Sequence, residues 1–286
     1  MIYIKKVNDV YLRVNCEPSI AMELSLEFSF TVPNYKFMNA YKFGGWDGKI
    51  RLFKMMDKTL YIGLLHRLKT FLDANNYEYT VDPELFETEY SEVEAKEFIS
   101  TLKSKYELKD FQLASFITAM RSRRALFISP TGSGKSFIMY NIIRALEGRK
   151  LIIVPNLNLL KQMISDFQEY DLEGKIGKKI QYIKGGETKE ISKEIVVSTW
   201  QSIVKQPKKW FDQFEAIIGD EAHLFKADSL VKIMTKAENT PYKFGLTGTL
   251  DGSLTNEMVL EGLFGKKVIV AKTKELMDSG DLATLN

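Results

Sequence analysis

The stretch that decides the fold is ALFISPTGSGKS at residues 125–136, which is followed at once by the apolar segment FIMYNIIRALEG. ALFIS favours a buried strand, and the segment after the loop favours a helix. The turn between them contains Gly132 and Gly134, which let backbone N–H groups point inward around phosphate oxygens while the helix N-terminus adds its positive dipole. The stretch therefore predicts a strand, a phosphate-binding loop and a helix.

The loop also predicts a nucleotide site with a metal ion. Lys135 is expected to reach the β- and γ-phosphates of ATP, and the Ser136 hydroxyl is expected to bind Mg²⁺. The pattern G-x-x-x-x-G-K-[ST] has glycine where this chain has Ser129, but the later residues keep their spacing. A Gly/Ser turn with a chance lysine is the alternative, and it does not account for the strand before and the helix after. The predicted nucleotide-binding residues of the loop are Thr131, Gly132, Ser133, Gly134, Lys135 and Ser136.

Four more apolar runs follow the loop and predict further buried strands. They are KLIIVP (150–155), EIVVST (194–199), EAIIGD (215–220) and YKFGLT (242–247). Leu160, Met163, Ile164 and Phe167 have helical spacing and predict an amphipathic helix between two of the strands. Apolar strands that alternate with helices are typical of a mainly parallel sheet with helices on both faces, whose ligands bind beyond the carboxyl ends of the strands.

A second set of candidate catalytic residues, Asp220-Glu221-Ala222-His223, lies at the end of the strand EAIIG. A carboxylate at a strand end beside a phosphate loop can hold Mg²⁺, partly through water, which is the role expected of Asp220. Glu221 can then orient and deprotonate an attacking water. Taken alone, the four residues could be a solvated acid pair with a surface histidine. The phosphate loop and the apolar strand before them favour the catalytic interpretation, with Lys135 as the partner on the loop.

The N-terminal part of the chain has a different pattern. SLEFSFTV (25–32), KIRLF (49–53) and YEYTV (77–81) alternate and predict strands, with one amphipathic helix around Leu64–Leu72. Residues 82–97 hold seven acidic residues against one lysine and mark a seam between domains. We therefore expect a small α+β domain over residues 1–88 and an α/β nucleotide-binding domain over residues 89–286.

Residues 36–69 are strongly basic, with eight Lys/Arg against two aspartates, and aromatic residues are interleaved with them. Such a mixture is typical of a surface that follows a nucleic-acid backbone and stacks on bases. The two-residue period of KIRLF predicts Lys49, Arg51 and Phe53 on one face and the intervening residues in the core. Lys49, Arg51 and Trp46 are the candidate nucleic-acid contacts here. A solvated basic face with core aromatics is the alternative.

Composition excludes several classes of protein. The 286 residues are 45% hydrophobic and 27% charged, with a net charge of +3, which is typical of globular proteins. The apolar runs are too short for a membrane span, and the N-terminus lacks the apolar core of a signal peptide. One cysteine and two histidines exclude a His/Cys zinc cluster. The lone cysteine favours a reducing compartment, and we expect a cytoplasmic location and no membrane partner.

Taken in order, these motifs resemble those of the superfamily 2 helicases and translocases. The phosphate loop, the Asp220–His223 stretch and Leu246-Thr247-Gly248-Thr249 resemble motifs I, II and III. Leu108–Gln112 resembles the motif whose glutamine binds adenine, and stretches beginning at Val154 and Ile195 resemble motifs Ia and Ib. The resemblance covers residues 105–286, and residues 32–53 are also similar to the start of a bacteriophage helicase of this superfamily.

The resemblance implies a RecA-like lobe and several site residues. Gln112 is expected to bind adenine, and Thr247 and Thr249 to couple hydrolysis to nucleic-acid movement through His223. Motif III has Thr-Gly-Thr in place of the commoner Ser/Thr-Ala-Thr, which keeps both hydroxyls. The superfamily also uses a second RecA-like lobe, which we expect to be absent from this chain, so that this chain alone would hydrolyse ATP weakly or not at all. The expected nucleic-acid contacts of motifs Ia and Ib are Pro155, Asn156, Ser198 and Thr199.

The function that the resemblance implies is an ATP-dependent DNA helicase that unwinds branched or forked DNA, Holliday junctions and R-loops in recombination, repair and replication. Its expected partners are DNA and RNA–DNA hybrids, and its oligomeric state stays open. A double-stranded DNA translocase motor is the nearest alternative. A nucleotide-gated DNA-binding module without hydrolysis and a P-loop kinase with a small hydroxyl substrate are alternatives of other classes. The kinase leaves the motifs around Pro155, Ser198 and Thr247 unexplained.

Overall fold

The structure of the chain is a computed structural model, which describes residues 1–130, 132–225, 227–250 and 256–271. The chain forms two compact units, Met1–Leu85 and Phe86–Asn286. The division between them falls inside the acidic stretch over residues 82–97 that the sequence marks as a seam.

The first unit, of which every residue is described, has a four-stranded mixed sheet and a separate two-stranded ribbon. The sheet has the order β5-β2-β1-β6, in which β1 is antiparallel to β2 and parallel to β6, and β3 pairs antiparallel with β4. The strands are β1 (Ile2–Lys6), β2 (Tyr11–Asn15), β3 (Ser29–Thr31), β4 (Lys49–Arg51), β5 (Thr59–Tyr61) and β6 (Tyr79–Val81). The helices are α1 (Pro18–Glu27), α2 (Asn39–Lys42) and α3 (Leu65–Ala74).

Two strand predictions in this unit are partly wrong. Residues 25–27 belong to α1 rather than to a strand, because Ala21, Leu24 and Phe28 recur at helical spacing and are buried together. The strand predicted over residues 49–53 ends at Arg51, so the predicted alternation of faces fails beyond it: Phe53 is buried. The residue predicted to enter the core from within the strand, Ile50, is exposed, whereas Leu52 and Phe53 enter the core one after the other.

The described part of the second unit contains a seven-stranded sheet of the order β13-β7-β12-β11-β8-β10-β9, and all of its pairings are parallel. The strands are β7 (Arg124–Ile128), β8 (Arg149–Val154), β9 (Ile180–Ile183), β10 (Ile195–Thr199), β11 (Phe214–Asp220), β12 (Tyr242–Thr247) and β13 (Lys267–Ile269). The helices are α4 (Glu92–Thr101), α5 (Asp110–Ser122), α6 (Lys135–Ala145), α7 (Leu157–Tyr170), α8 (Ile176–Lys179), α9 (Trp200–Ile203), α10 (Lys208–Phe211), α11 (Ala227–Lys236) and α12 (Glu257–Phe264). The five strands predicted from apolar runs and the helix predicted around Leu160 are confirmed.

Both faces of this sheet are buried, which explains why its strands are continuous apolar runs. Phe127, Ile152 and Ile218 belong to one core cluster together with residues of α5, α6 and α7. On the other face, the ring of Phe264 in α12 fills the space beside Gly219, where an added Cβ would lie 2.9 Å from it. Helix α6 is buried at all seven positions from 137 to 143, so the loop before it is anchored in the core.

Strand order brings the functional motifs to one edge of the sheet. β12 lies between β7 and β11, so the carboxyl ends of the strands that lead to the phosphate loop, to Asp220 and to Thr247 are neighbours. Thr247 is in register with Ile128, and Asp220 is in register with Leu246. β8 and β10 are also neighbours, with Thr199 beside Val154. Within the described ranges, no helix has the length and hydropathy that a membrane crossing requires.

Candidate active site and nucleic-acid interface

The loop between β7 and α6 has the backbone shape that a phosphate cradle requires. Gly132 and Gly134 have φ values of 85° and 77°, in the left-handed region that favours glycine. A Cβ at Gly134 would lie 2.4 Å from Nε2 of Gln112, so a side chain at this position would also collide with a neighbour. Helix α6 begins at Lys135, and its N-terminal N–H groups therefore follow the loop directly. Thr131, also predicted to bind nucleotide, lies outside the described residues.

Two buried serines, Ser129 and Ser133, stabilise the phosphate loop through hydrogen bonds inside it. The Ser129 hydroxyl, which replaces the first glycine of the pattern, is fully buried and hydrogen-bonded to the Ser133 hydroxyl. Ser133 Oγ also donates to Pro130 O at 2.6 Å, and the Ser129 N–H donates to Thr247 O at 2.8 Å. Ser129 therefore has a structural role that the sequence pattern did not indicate. Because the Ser133 side chain is occupied inside the loop, any contact of Ser133 with a nucleotide falls to its backbone.

Gln112 connects the start of α5 to the phosphate loop. Its Nε2 donates to Ser133 O at 2.9 Å, and its Oε1 accepts from the Lys109 N–H at 3.0 Å. The side chain is buried, so these bonds fix its orientation. A primary amide has two N–H groups and two lone pairs on oxygen, so one N–H and one lone pair of Gln112 remain for a further partner.

The predicted catalytic residues form one connected chain. Lys135 Nζ is ion-paired with Glu221 Oε1, and Glu221 Oε2 lies 3.4 Å from His223 Nδ1. The Thr247 hydroxyl lies 2.6 Å from the same His223 nitrogen and donates to Thr249 O at 2.7 Å. A hydroxyl has a single hydrogen, so when Thr247 donates to Thr249 O, the Nδ1–H of His223 is the donor toward Thr247. The tertiary structure thus joins the phosphate loop to motif III through side chains.

Two features of the carboxylate pair indicate a site held under strain. Glu221 has a φ of 47°, which is unusual for a residue with a side chain and costs on the order of 1 kcal/mol. Asp220 is buried, and desolvation together with the charge of Glu221 raises its pKa from 3.8 to about 6. Both features cluster at functional sites, where charges are placed for a ligand rather than for stability.

Tyr170 is a site residue that sequence reasoning missed. Its hydroxyl is 2.7 Å from the Ser136 hydroxyl, the predicted Mg²⁺ ligand. The ring packs edge-to-face against Phe137 and Tyr106, with centroids 5.0 Å and 5.9 Å away, and burial raises the pKa of Tyr170. Nothing in the spacing of α7 could have indicated this contact, because the ring reaches the loop only through the packing of α7 on α6.

Three of the four nucleic-acid candidates of motifs Ia and Ib meet at one depression. Pro155, Asn156 and Thr199 line an open cavity of about 360 Å³ together with Gln201. The Asn156 side chain also caps α7 by accepting from two backbone N–H groups, each at 3.0 Å. Ser198 differs from these residues, since its hydroxyl is fully buried and donates to Ile183 O at 2.8 Å. Its side chain therefore supports the strand end and does not line the cavity.

The candidates of the first unit lie close together in sequence, with Trp46 in the turn before β4 and Lys49 and Arg51 on β4. Lys49 and Arg51 are exposed, and the Trp46 indole N–H donates to Lys49 O at 2.7 Å. The Arg51 guanidinium is bonded to both carboxylate oxygens of Asp47, and this bonding lowers the pKa of Asp47 to about 2. The charge of Arg51 is therefore compensated within the turn, whereas the ammonium of Lys49 is presented to solvent.

Comparison with known proteins identifies the family. The family model described as Type III restriction enzyme, res subunit, matches residues 88–252, and the model described as DNA helicase UvsW, N-terminal, matches residues 2–82. This chain belongs to the superfamily 2 helicases. The ATP-dependent DNA helicase uvsW of Enterobacteria phage T4 is 35% identical over 289 residues, which cover 96% of this chain and 57% of that relative. The DNA 3'-5' translocase XPB2 of Sulfurisphaera tokodaii is 28% identical over 191 residues, 61% of this chain and 41% of the relative.

Solved structures agree with this membership. A crystal structure of the UvsW helicase from bacteriophage T4 matches with a TM-score of 0.86 at 33% identity, and the match covers 94% of this chain and 99% of that chain. A second crystal structure of T4 UvsW matches with a TM-score of 0.87, also at 33% identity, over 96% of this chain and 58% of that one. The predicted fold class is confirmed: a RecA-like P-loop lobe with a mainly parallel sheet, preceded by a small α+β domain. This superfamily 2 chain spans 57% of the length of its curated UvsW relative.

Proposed function

We propose that this chain provides the ATP-binding lobe and a nucleic-acid-binding N-terminal domain of an ATP-dependent DNA helicase. The observation that carries the proposal is the connection from Lys135 through Glu221 and His223 to Thr247, which joins a phosphate loop to the ends of two neighbouring strands. The names of the UvsW and XPB2 relatives, a DNA helicase and a DNA translocase, support it. In this proposal residues 1–88 and 89–286 are the two functional domains.

The residues of the site fit Mg²⁺-ATP. Asp220 is a buried carboxylate whose pKa is raised by desolvation, so a bound cation would stabilise its anion, and the positive φ of Gly132 and Gly134 gives the loop the shape of a phosphate cradle. When bound, Mg²⁺ would neutralise charge on the phosphates, with Ser136 and Asp220 as its holders, partly through water. The Ser136 hydroxyl can donate to Tyr170 and still present a lone pair to the cation.

Lys135 and Glu221 would exchange partners when nucleotide binds. In the structure the ammonium of Lys135 is paired with Glu221. A triphosphate in the loop offers the ammonium a more highly charged partner, which would release the Glu221 carboxylate to accept a proton from the attacking water. His223, whose Nδ1 lies 3.4 Å from the other Glu221 oxygen and 2.6 Å from the Thr247 hydroxyl, would transmit the position of Glu221 to Thr247 and Thr249. Hydrolysis and movement along nucleic acid would be coupled in this way.

The proposed substrate is DNA, with branched or forked DNA, R-loops and RNA–DNA hybrids as its finer forms. The cavity lined by Pro155, Asn156 and Thr199 would contact the nucleic-acid backbone. A double-stranded DNA translocase is the second candidate, and the relation to XPB2 favours it. Two assays with the intact protein separate the candidates. A helicase displaces a strand from a forked duplex, whereas a translocase displaces the third strand of a triplex on a blunt duplex without unwinding the duplex. A cytoplasmic location is part of the proposal, on the ground that a single cysteine favours a reducing compartment.

The decisive experiment is titration calorimetry of Mg²⁺-ATP against this chain and its Lys135→Ala variant. A charge-assisted hydrogen bond contributes roughly 1.5–3 kcal/mol, so we expect the variant to bind about 10- to 150-fold more weakly. Lys209→Ala, which removes an exposed lysine of α10, is the matched control and should bind as the wild type does. Equal affinity of the Lys135 variant and the wild type would refute the nucleotide site and the proposal with it.

A further inference from the structure

The segment from Tyr35 to Phe43 presents aromatic side chains to solvent. It consists of a 3-10 turn, Tyr35–Phe37, and α2, both of which lie wholly in the described part of the chain and contain no buried residue. Phe37 is 75% exposed, and Phe43, directly after α2, is 85% exposed. Isolated exposed apolar residues are common, but two exposed phenylalanines on one short segment indicate an interaction surface.

This exposure does not come from a loose loop, because the segment is anchored to Gly48 at its N-terminal end and is closed by a helical hydrogen bond of its own at its C-terminal end. The Tyr35 ring lies over Gly48, where an added Cβ would be 2.1 Å from the ring, and packs edge-to-face on Tyr41 with centroids 4.7 Å apart. The Val32 N–H donates to Gly48 O at 2.9 Å, and the Phe43 N–H donates to Asn39 O at 3.0 Å. The fold thus holds the segment in place and leaves both phenylalanine rings in water.

The charge around the two rings favours a polyanion. Lys36 directly precedes Phe37 and Lys42 directly precedes Phe43, and both lysines are exposed. Lys49 is exposed on β4, and the negative charge of Asp47 is compensated by its ion pair with Arg51. A second copy of this surface would bring lysines against lysines, so self-association is disfavoured. A nucleic acid matches both features of this surface, because its phosphates can pair with the lysines and its bases can stack on the phenylalanine rings.

We infer that Phe37 and Phe43 stack on unpaired bases of DNA while Lys36, Lys42 and Lys49 contact the flanking phosphates. A duplex hides the faces of its bases in the stack, so the rings find partners only in single strands or at a branch. The inference rests on the proposed function, since it takes DNA as the ligand. It adds a device that distinguishes unpaired from paired DNA, located outside the RecA-like lobe.

The test uses the whole chain and two DNA probes of one sequence, a 12-nucleotide single strand that carries 2-aminopurine and the blunt duplex made from it. We expect Phe37→Ala combined with Phe43→Ala to weaken single-strand binding by at least tenfold, about 1.4 kcal/mol, since each base stack contributes on that order or more. Binding of the duplex should change little. The 2-aminopurine fluorescence quenching by the wild type should be lost in the variant.

Two further variants separate stacking from folding and from charge. Met22→Ala combined with Leu26→Ala removes exposed apolar side chains of α1 and should leave single-strand affinity unchanged. Phe37→Tyr combined with Phe43→Tyr keeps both rings and should restore affinity. The slope of log K against log[salt] should stay at the wild-type value in the alanine variant, because no phosphate contact is removed.

Equal loss of single-strand and duplex affinity, or an alanine variant that binds the single strand like the wild type, would overturn the inference while leaving the proposed function in place. A wild-type chain that binds neither probe would overturn the inference together with the DNA part of the proposed function. The ATP titration of the Lys135 variant is independent of both outcomes.

Discussion

Replacement of Asp220 by asparagine should stabilise the nucleotide-free protein at neutral pH. Asp220 is buried at the end of β11, and desolvation together with the nearby Glu221 raises its pKa from 3.8 to about 6. Above pH 6 the folded protein therefore carries an ionised carboxylate in surroundings that disfavour the charge relative to the unfolded chain. The amide of the variant Asp220→Asn is neutral at every pH, so the variant avoids that cost and loses the proposed ligand for Mg²⁺.

The size of the effect follows from the two pKa values. At about 1.4 kcal/mol per pKa unit, the difference between 3.8 and about 6 corresponds to roughly 3 kcal/mol. Because the pKa of Asp220 is raised in the folded state, the folded protein binds more protons than the unfolded chain between these pH values. The free energy of unfolding of the wild type therefore falls as the pH rises from 3.8 to about 6. The advantage of the variant should therefore grow over that range and be constant above it. For a domain of this size, roughly 3 kcal/mol corresponds to about 6–12 °C in Tm.

The assay is thermal unfolding of wild type and variant in EDTA, without nucleotide, at half-unit steps from pH 4.5 to 8. The observable is the difference in Tm between the two proteins, which removes the pH effects that they share. Glu190→Gln replaces an exposed carboxylate by an amide and is the control, for which a small and constant difference is expected. In calorimetry with Mg²⁺-ATP, the Asp220 variant should bind more weakly than the wild type.

A Tm difference for Asp220→Asn that is the same at pH 4.5 and pH 7.5 would refute the reasoning. So would a variant that is less stable than the wild type at pH 7.5. Either result would mean that the buried carboxylate is stabilised as an anion by its surroundings, and the site would then be assembled for structure rather than for a cation.

The loop and its neighbours support two more predictions. Gly134→Ala should lower Mg²⁺-ATP affinity by about tenfold or more in calorimetry, because the new Cβ meets a buried amide at 2.4 Å, whereas Gly186→Ala carries a similar backbone strain with no atom within 4 Å and should bind normally. Tyr170→Phe removes the hydroxyl beside Ser136, so the affinity for Mg²⁺-ATP should fall while that for ATP in EDTA stays constant; an equal change in both titrations would show that Tyr170 supports the loop alone.

Much of the second unit could be predicted because its signals are local. Apolar runs bounded by polar ends indicated five strands, and the spacing of Gly132, Gly134 and Lys135 indicated the loop and the helix after it. Fold rules for parallel sheets then predicted that polar residues at strand ends would meet, as Asp220 and Thr247 do. In the first unit the same approach failed at residues 25–27, because a short stretch that alternates can also satisfy helical spacing.

The remaining features depend on partners that are distant in sequence. Sequence alone established the phosphate loop, the carboxylate pair and the order of the motifs, since each is defined by residues within a few positions of one another. Only the tertiary structure decided that Gln112 bonds to the loop, that Tyr170 reaches Ser136 and that Ser198 is buried. The physical reason is that a hydrogen bond or a burial depends on which surfaces pack together, and packing joins segments whose separation along the chain leaves no periodic signal.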